Sequence, residues 1–474
     1  MKARKTPLIV LAATALSALA LTACSPDDVD GSSGATSGSV ANGDLGAITV
    51  WTLEEQPDRL AKAQAAADDF TAATGITVDL VGVNEDQFPQ LITAAAAAGT
   101  LPDVVGALPL SAVRIMSSNE LVNTDTTGEI VDNLDPSTFS ASALSLTQEN
   151  GAQIAIPSDG FPLSIIYRKD LYEAAGLDAP TTYEKLVTAA KTLNSPEIAG
   201  FVAGNSASTG YTQQVFEWFA LANGCEAVDD SGTVTLNSPD CVKAFETYGE
   251  LVSEYTVPGA MDSTGTKTTY MGGKAATMIW ASFVLDEMAG LVDDAMPTCA
   301  ECADDPQFIA KNSGFVTTFG GPDGSPVSGG DVTSWVVTAD ADADASAQFV
   351  EYFMGDAYVQ WLSQAPEGKF PTRSGTVDEP EKFIDGWKNL ETGVDTKAKL
   401  ADTYSPEVLA ALQDGVNNFT RWGFTQGQGP LLGAMLAELP VPQAIAGLAN
   451  GELDGQSAAD QAQQAAAAIQ ESVG

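Results

Sequence analysis

At 474 residues, 44% of them hydrophobic, the chain is long enough for two or more domains of about 100 to 200 residues each. Its 63 acidic and 21 basic residues leave a net charge of -42, which excludes nucleic acid and other polyanions as partners, because phosphate binding needs clustered Lys and Arg. Histidine is absent, which removes Ser-His-Asp and Cys-His catalysis, His-ligated zinc and the commonest general base near neutral pH.

At the N-terminus, Lys2, Arg4 and Lys5 precede an apolar run from Leu8 to Leu21, too short to span a bilayer and shaped like a secretory signal. Leu21-Thr22-Ala23-Cys24 follows and resembles a lipobox, the pattern in which cleavage before the Cys leaves a lipid-modified terminus. Residues 1–23 are therefore expected to be a signal peptide and Cys24 a lipid anchor. Residues 24–44 are rich in Ser, Gly and Asp and cannot bury enough surface to fold, so they read as a tether with a reach of roughly 25 Å. In an exported chain the four remaining cysteines point to disulfides. Of three possible pairings, spacing favours Cys225 with Cys241 and Cys299 with Cys302. The second pair also has redox or half-zinc spacing, but neither a second CxxC, a His nor a thioredoxin-type βαβ context completes such a site, and no metal is expected.

The folded part starts with a strand, Ala47 to Trp51, then a helix from Arg59 to Thr74 stopped by Gly75, and a strand from Ile76 to Val81. A helix from Gln87 to Ala98 and a third strand beginning at Leu101 complete βαβαβ, a parallel sheet wrapped by helices with ligands expected at the carboxyl ends of the strands. Neither GxGxxG nor a P-loop follows these strands, so no nucleotide cofactor is expected. Gln153 to Ile156 then reads as a strand that meets a Pro157-Ser158-Asp159-Gly160 turn and continues into a second strand, Leu163 to Tyr167, with no helix between. That is how a chain crosses from one lobe to another. Further on come strands at Ala199 to Val202 and Gly232 to Leu236, a helix from Tyr211 to Leu221, a strand within Lys274 to Phe283, and a return crossing through Phe315 and Gly329 to Val337. Asp340, Asp342 and Asp344 invite a calcium reading, but they immediately precede a helix and lack the Gly and distal Glu of a calcium loop, so helix capping explains them.

The stretch Gly151 to Leu186, the strand-Trp51 motif, Phe70-Thr71-Ala72-Ala73-Thr74-Gly75-Ile76, Leu101-Pro102-Asp103-Val104-Val105 and Lys274-Ala275-Ala276-Thr277-Met278 occur in an order that resembles bacterial extracellular solute-binding proteins of family 1, the sugar-binding receptors of ABC importers. The resemblance implies an α/β, two-lobe, periplasmic-binding-protein-like fold of type II. Residues 45–155 with about 312–365 would form one lobe, and 156–311 with about 366–474 the other. It implies a monomer anchored outside the cytoplasmic membrane that binds a carbohydrate between its lobes, closes on it and delivers it to permease subunits. An enzyme is not expected. Two alternatives remain: a sensor for a signalling kinase, and a secreted glycosidase, for which no pair of carboxylates stands out.

The resemblance also implies site residues. Glu55 and Gln56 lie four and five places after Trp51; the competing reading is an exposed helix N-terminus. Asp159 and Phe161 lie at a strand end facing the other lobe, and the maltose-binding branch has a Glu where Phe161 stands. Tyr211, Gln213 and Trp218 come from one helix, Trp218 being equally compatible with core packing. Trp280, Ser282 and Phe283 follow the Lys-Ala-Ala strand, at least one of them as core. Asp331 stands where the family places a polar contact and Trp422 where the maltose-binding branch stacks an aromatic. Asp103 is expected to brace its strand, and the apolar Gly106 to Leu110 argues against maltodextrin bound as in that branch.

Overall fold

The computed structural model describes residues 46–473 except 425; the signal segment, Cys24 and the tether lie outside them. Three parallel strands open the first sheet: Ala47–Thr52 between Thr77–Gly82 and Val104–Pro109. Helix Pro57–Thr74 joins the first two, started by a proline in its first turn and stopped by Gly75, whose left-handed backbone (φ 82°) turns its N–H onto the Thr71 carbonyl. Asp103 braces this sheet as expected. Its carboxylate accepts from Thr49 N and Asp342 N, both at 2.8 Å, while Asp342 in turn caps helix Ala343–Phe353.

One strand, Ile156–Arg168, belongs to two sheets. Residues 156–162 pair antiparallel with Gly330–Val337 and with Phe370–Pro371, extending the first sheet. Residues 163–168 pair with Thr277–Ala281 and Ser313–Val316 in a second sheet. The turn expected at Pro157-Ser158-Asp159-Gly160 does not form. Those residues are buried strand, because neighbours on both sides supply ladder partners and a bulge opposite Thr333 and Ser334 absorbs the irregularity. Gly160 is needed there for space: a side chain would press on Phe419 and Val416. The segment near residue 312 pairs into the second sheet, and the chain re-enters the first at Gly330.

The strand expected at Gly232 to Leu236 is also absent. Only Val234 forms a bridge, with Val228, because the Asp229 carboxylate gathers the backbone N–H groups of Ser231 and Thr233 into a turn. Ala199 and Val202 add single parallel bridges to the 275–278 segment. Cys225 is bonded to Cys241 and Cys299 to Cys302, the pairing that spacing favours. The first bond spans 16 residues and ties the end of helix Gly210–Leu221 to the start of helix Pro239–Glu254. Replacing both Cys225 and Cys241 by Ser is expected to cost about 3 kcal/mol on the loop-entropy scale, read as a lower denaturant midpoint at unchanged slope.

Candidate functional site

The carboxyl ends of the first-sheet strands meet the start of helix Gly210–Leu221 and the turn Ser282–Val284 around a cleft of about 490 Å³. Its walls carry Glu54, Glu55, Gln56 and Arg59 after the first strand, Asn84 and Glu85 after the second, and Ala107 and Pro109 at the third. Phe161, Asp331 and Thr333 come from the shared strand and its neighbour, Gln214 and Phe283 from the second-sheet side. A larger groove, about 610 Å³, lies between helices Lys382–Lys388 and Pro406–Asn417, but no strand end opens into it. The strand ends single out the first cleft, since open parallel sheets present their loops there.

Backbone irregularities shape the cleft. Opposite Trp335, the third strand bulges at Gly106 and Ala107, and Trp335 lies so tightly beneath Gly106 that a side chain there would collide with the indole. Ala107 lines the cleft with φ 58°, a left-handed conformation costing an alanine about 1 kcal/mol. The bulge redirects the chain so that Ala107 and Pro109 form an apolar wall.

Beneath the floor lies a charge network. Lys369, with 2% of its side chain exposed, reaches Glu54 at 2.7 Å and Asp159 at 3.3 Å, and its ammonium stands 4.6 Å from the centre of the Trp361 ring. Asp159 also accepts from Trp361 Nε1 at 2.8 Å and from Ser158. Burial alone pushes the Glu54 carboxyl up, but Lys369 and Arg59 more than offset it and hold Glu54 down at about 2. A second network stands behind Asp331. Arg421 pairs with it at 3.0 Å and with Glu217 at 2.6 Å, all three buried, joining helix, strand and the 418–424 turn.

Of the residues predicted from sequence, Glu55, Gln56, Phe161, Phe283 and Asp331 come together on the cleft wall, with the two phenyl rings 5.2 Å apart. Gln56 occupies the N-cap position of its helix without a side-chain cap bond, and Glu55 accepts from Asn84 Nδ2 at 2.6 Å. Others lie elsewhere. Asp159 is 1% exposed and held by the lysine network, so it does not reach the cleft surface. Trp218 donates its indole N–H to the Val327 carbonyl and packs beneath Gly329, and Trp422 donates to the Cys225 carbonyl within the core. Gln213 is 1% exposed; its neighbour Gln214 faces the cleft instead, one residue being 100° of helix. Tyr211 donates to the Ile279 carbonyl at 2.5 Å and stands edge-on to Trp280, beside the second sheet. Ser282 is 1% exposed, and its hydroxyl has no hydrogen-bond partner among the described residues.

Sequence reasoning missed Glu54, Arg59, Asn84, Gln214 and Lys369. Glu54 stood in the same polar run as Glu55. Lys369 carried one usable signal, a lone cation in the apolar and small-residue run Gly368-Lys369-Phe370-Pro371, which only a buried counter-charge makes tenable.

The fold and this cleft define a two-lobed α/β binding protein of type II, the periplasmic sugar-binding architecture, in which one strand serves both sheets. Residues 65–392 match the family model described as "Bacterial extracellular solute-binding protein", and the chain belongs to that family. It is 25% identical over 366 residues to the protein described as "Putative ABC transporter periplasmic-binding protein YcjN" of Escherichia coli (strain K12), covering 75% of this chain and 79% of that protein. Among solved structures it resembles the GacH receptor of Streptomyces glaucescens (TM-score 0.66, 20% identity, 90% of this chain and 99% of that one). It also resembles maltose-bound MalE3 of T. maritima (TM-score 0.64, 17% identity, 89% and 99%).

Two predictions follow from the charges. Lys369→Met would leave Asp159 buried without its cation and Glu54 with Arg59 alone, and is expected to destabilise the protein by about 3 to 5 kcal/mol, measured by denaturant unfolding at pH 7. Asp286, just beyond Phe283, is pushed by burial and then by Glu367 up to about 7. Because its folded value lies above the unfolded one, its ionisation weakens the fold as pH rises from about 4 through 7, and acid relieves the strain. Asp286→Asn should therefore raise stability by about 1 to 2 kcal/mol at pH 8 and by only a small part of that at pH 4, checked by thermal melts across that range.

Proposed function

We propose that this protein is the lipid-anchored, substrate-binding component of an ABC importer, a monomer that binds a carbohydrate in the cleft and delivers it to the permease. The observation that carries this reading is the composition of one wall. Amide and carboxylate groups of Glu55, Gln56, Asn84, Gln214 and Asp331 stand beside the two half-exposed rings of Phe161 and Phe283. Hydroxyl pairs both donate and accept, so amides and carboxylates suit them, while apolar C–H faces of a sugar ring suit phenyl groups. Structures similar in fold are described with acarbose, maltose and ribitol bound, which supports the same chemical class.

Two lobes, one built on each sheet, would hinge about the shared strand and close on ligand, since ligand contacts to both sides favour the closed state. Cys24 would carry the anchor and residues 24–44 the tether. A thermal-shift screen of mono-, di- and oligosaccharides and polyols is expected to give at least one ligand, stabilising by about 2.7 kcal/mol at 100 times its dissociation constant. With that ligand, small-angle scattering should register compaction, and Phe283→Ala should weaken binding about tenfold, the equivalent of 1.4 kcal/mol. Silence across the entire panel would overturn the carbohydrate reading.

A further inference from the structure

The cleft has a charge character that bears on which carbohydrate it takes. Four carboxylates line it, those of Glu54, Glu55, Glu85 and Asp331, against one lining cation among the described residues, Arg59. That cation is spent, since its guanidinium pairs with Glu54 at 2.9 Å. The cations behind the walls are spent too: Lys369 lies buried between Glu54 and Asp159, and Arg421 between Glu217 and Asp331. Leaving Glu85 aside, the five carboxylates Glu54, Glu55, Asp159, Glu217 and Asp331 against the three cations Arg59, Lys369 and Arg421 leave the site at a net charge of -2 before any ligand enters. The neighbour that holds Glu55, the Asn84 amide, brings no charge to offset it.

The opposite influence is present but smaller. The N-termini of helices Pro57–Thr74 and Gly210–Leu221 both face the cleft, each with about half a positive charge. The first is already met by Asp58 in its opening turn and by Glu54 and Glu55 just before it.

We infer that the cleft rejects anionic carbohydrates and prefers an amine-bearing sugar, in its ammonium form, to the neutral sugar of the same skeleton. This rests on the carbohydrate reading above. A uronate or sugar phosphate would bring a negative charge to a site with no unpaired cation among the described residues to receive it, and its desolvation would go uncompensated. An ammonium would meet the Glu55 carboxylate at the rim.

The test uses matched triples of the glucose, galactose and mannose series and their β-1,4-linked disaccharides, each as the neutral sugar, the 2-amino-2-deoxy sugar and the uronate. Affinities are measured on the folded protein by calorimetry at pH 6 and low salt. Within the series that binds, the amine form is expected to bind about fivefold more tightly than the neutral sugar and the uronate at least about tenfold more weakly. Glu55→Gln should cut the amine-to-neutral ratio about threefold, and 0.5 M salt should shrink it in the wild-type protein, which keeps the test open if the variant folds poorly. A uronate bound as well as the neutral sugar, an amine form with no advantage, or a ratio insensitive to both Glu55→Gln and salt would each overturn the inference while leaving carbohydrate binding standing. Absence of binding by every member of every triple would overturn the carbohydrate reading and the inference with it.

Discussion

A positive charge placed where water cannot reach it organises the centre of this protein. Lys369 is held between Glu54 and Asp159, and each of the three comes from a different part of the chain: the loop after the first strand, the shared strand, and the short Phe370–Pro371 strand region. An ammonium with 2% of its side chain exposed is tenable only while both carboxylates stay in place, so the three segments are fixed relative to one another. The cleft floor inherits that rigidity. Arg421 does the same behind Asp331, tying helix Gly210–Leu221 to strand Gly330–Val337.

The shared strand Ile156–Arg168 is the second constraint. Backbone ladders on both halves commit it to two sheets at once, and the bulge at Ser158 lets the first half bend while its hydrogen bonds stay satisfied. Phe161 sits between the halves, beside Phe283 from the second-sheet side, so the residue at the junction is also a wall of the cleft. Phe283 in turn packs against Gly368, next to Lys369, leaving no room for a side chain at that glycine. Aromatic wall, charge network and junction are thus one packed unit, and motion of one lobe against the other would be felt first at this place.

That Glu55, Gln56, Phe161, Phe283 and Asp331 share one cleft wall was legible from the order of the motifs that carry the family resemblance, which places each next to a strand or helix of the fold. Trp218 and Trp422 were not separable from core, since a buried indole needs only one acceptor, and the Val327 and Cys225 carbonyls that supply it are 109 and 197 residues away. Gln213 and Gln214 differ by a single step of helix rotation, which the apolar pattern of that helix leaves open because residues 215–221 are buried on every face. Pro157 and Gly160 suggest a turn to any local reading; pairing on both edges overrode that preference.

By itself the sequence determined the order and type of most elements, the favoured disulfide pairing and the existence of a crossing, because these depend on neighbours close along the chain. It also determined what is excluded, since net charge and the lack of histidine are independent of fold. Only the tertiary structure decided that the crossing is one continuous strand, that Asp159 serves a buried lysine rather than the cleft, and that the second polar neighbour of Trp51 to matter is Glu54. The physical reason is common to all three. The energy of a buried charge or an unpaired strand edge is set by partners hundreds of residues distant, such as Lys369 for Asp159, and those partners meet only when the chain folds.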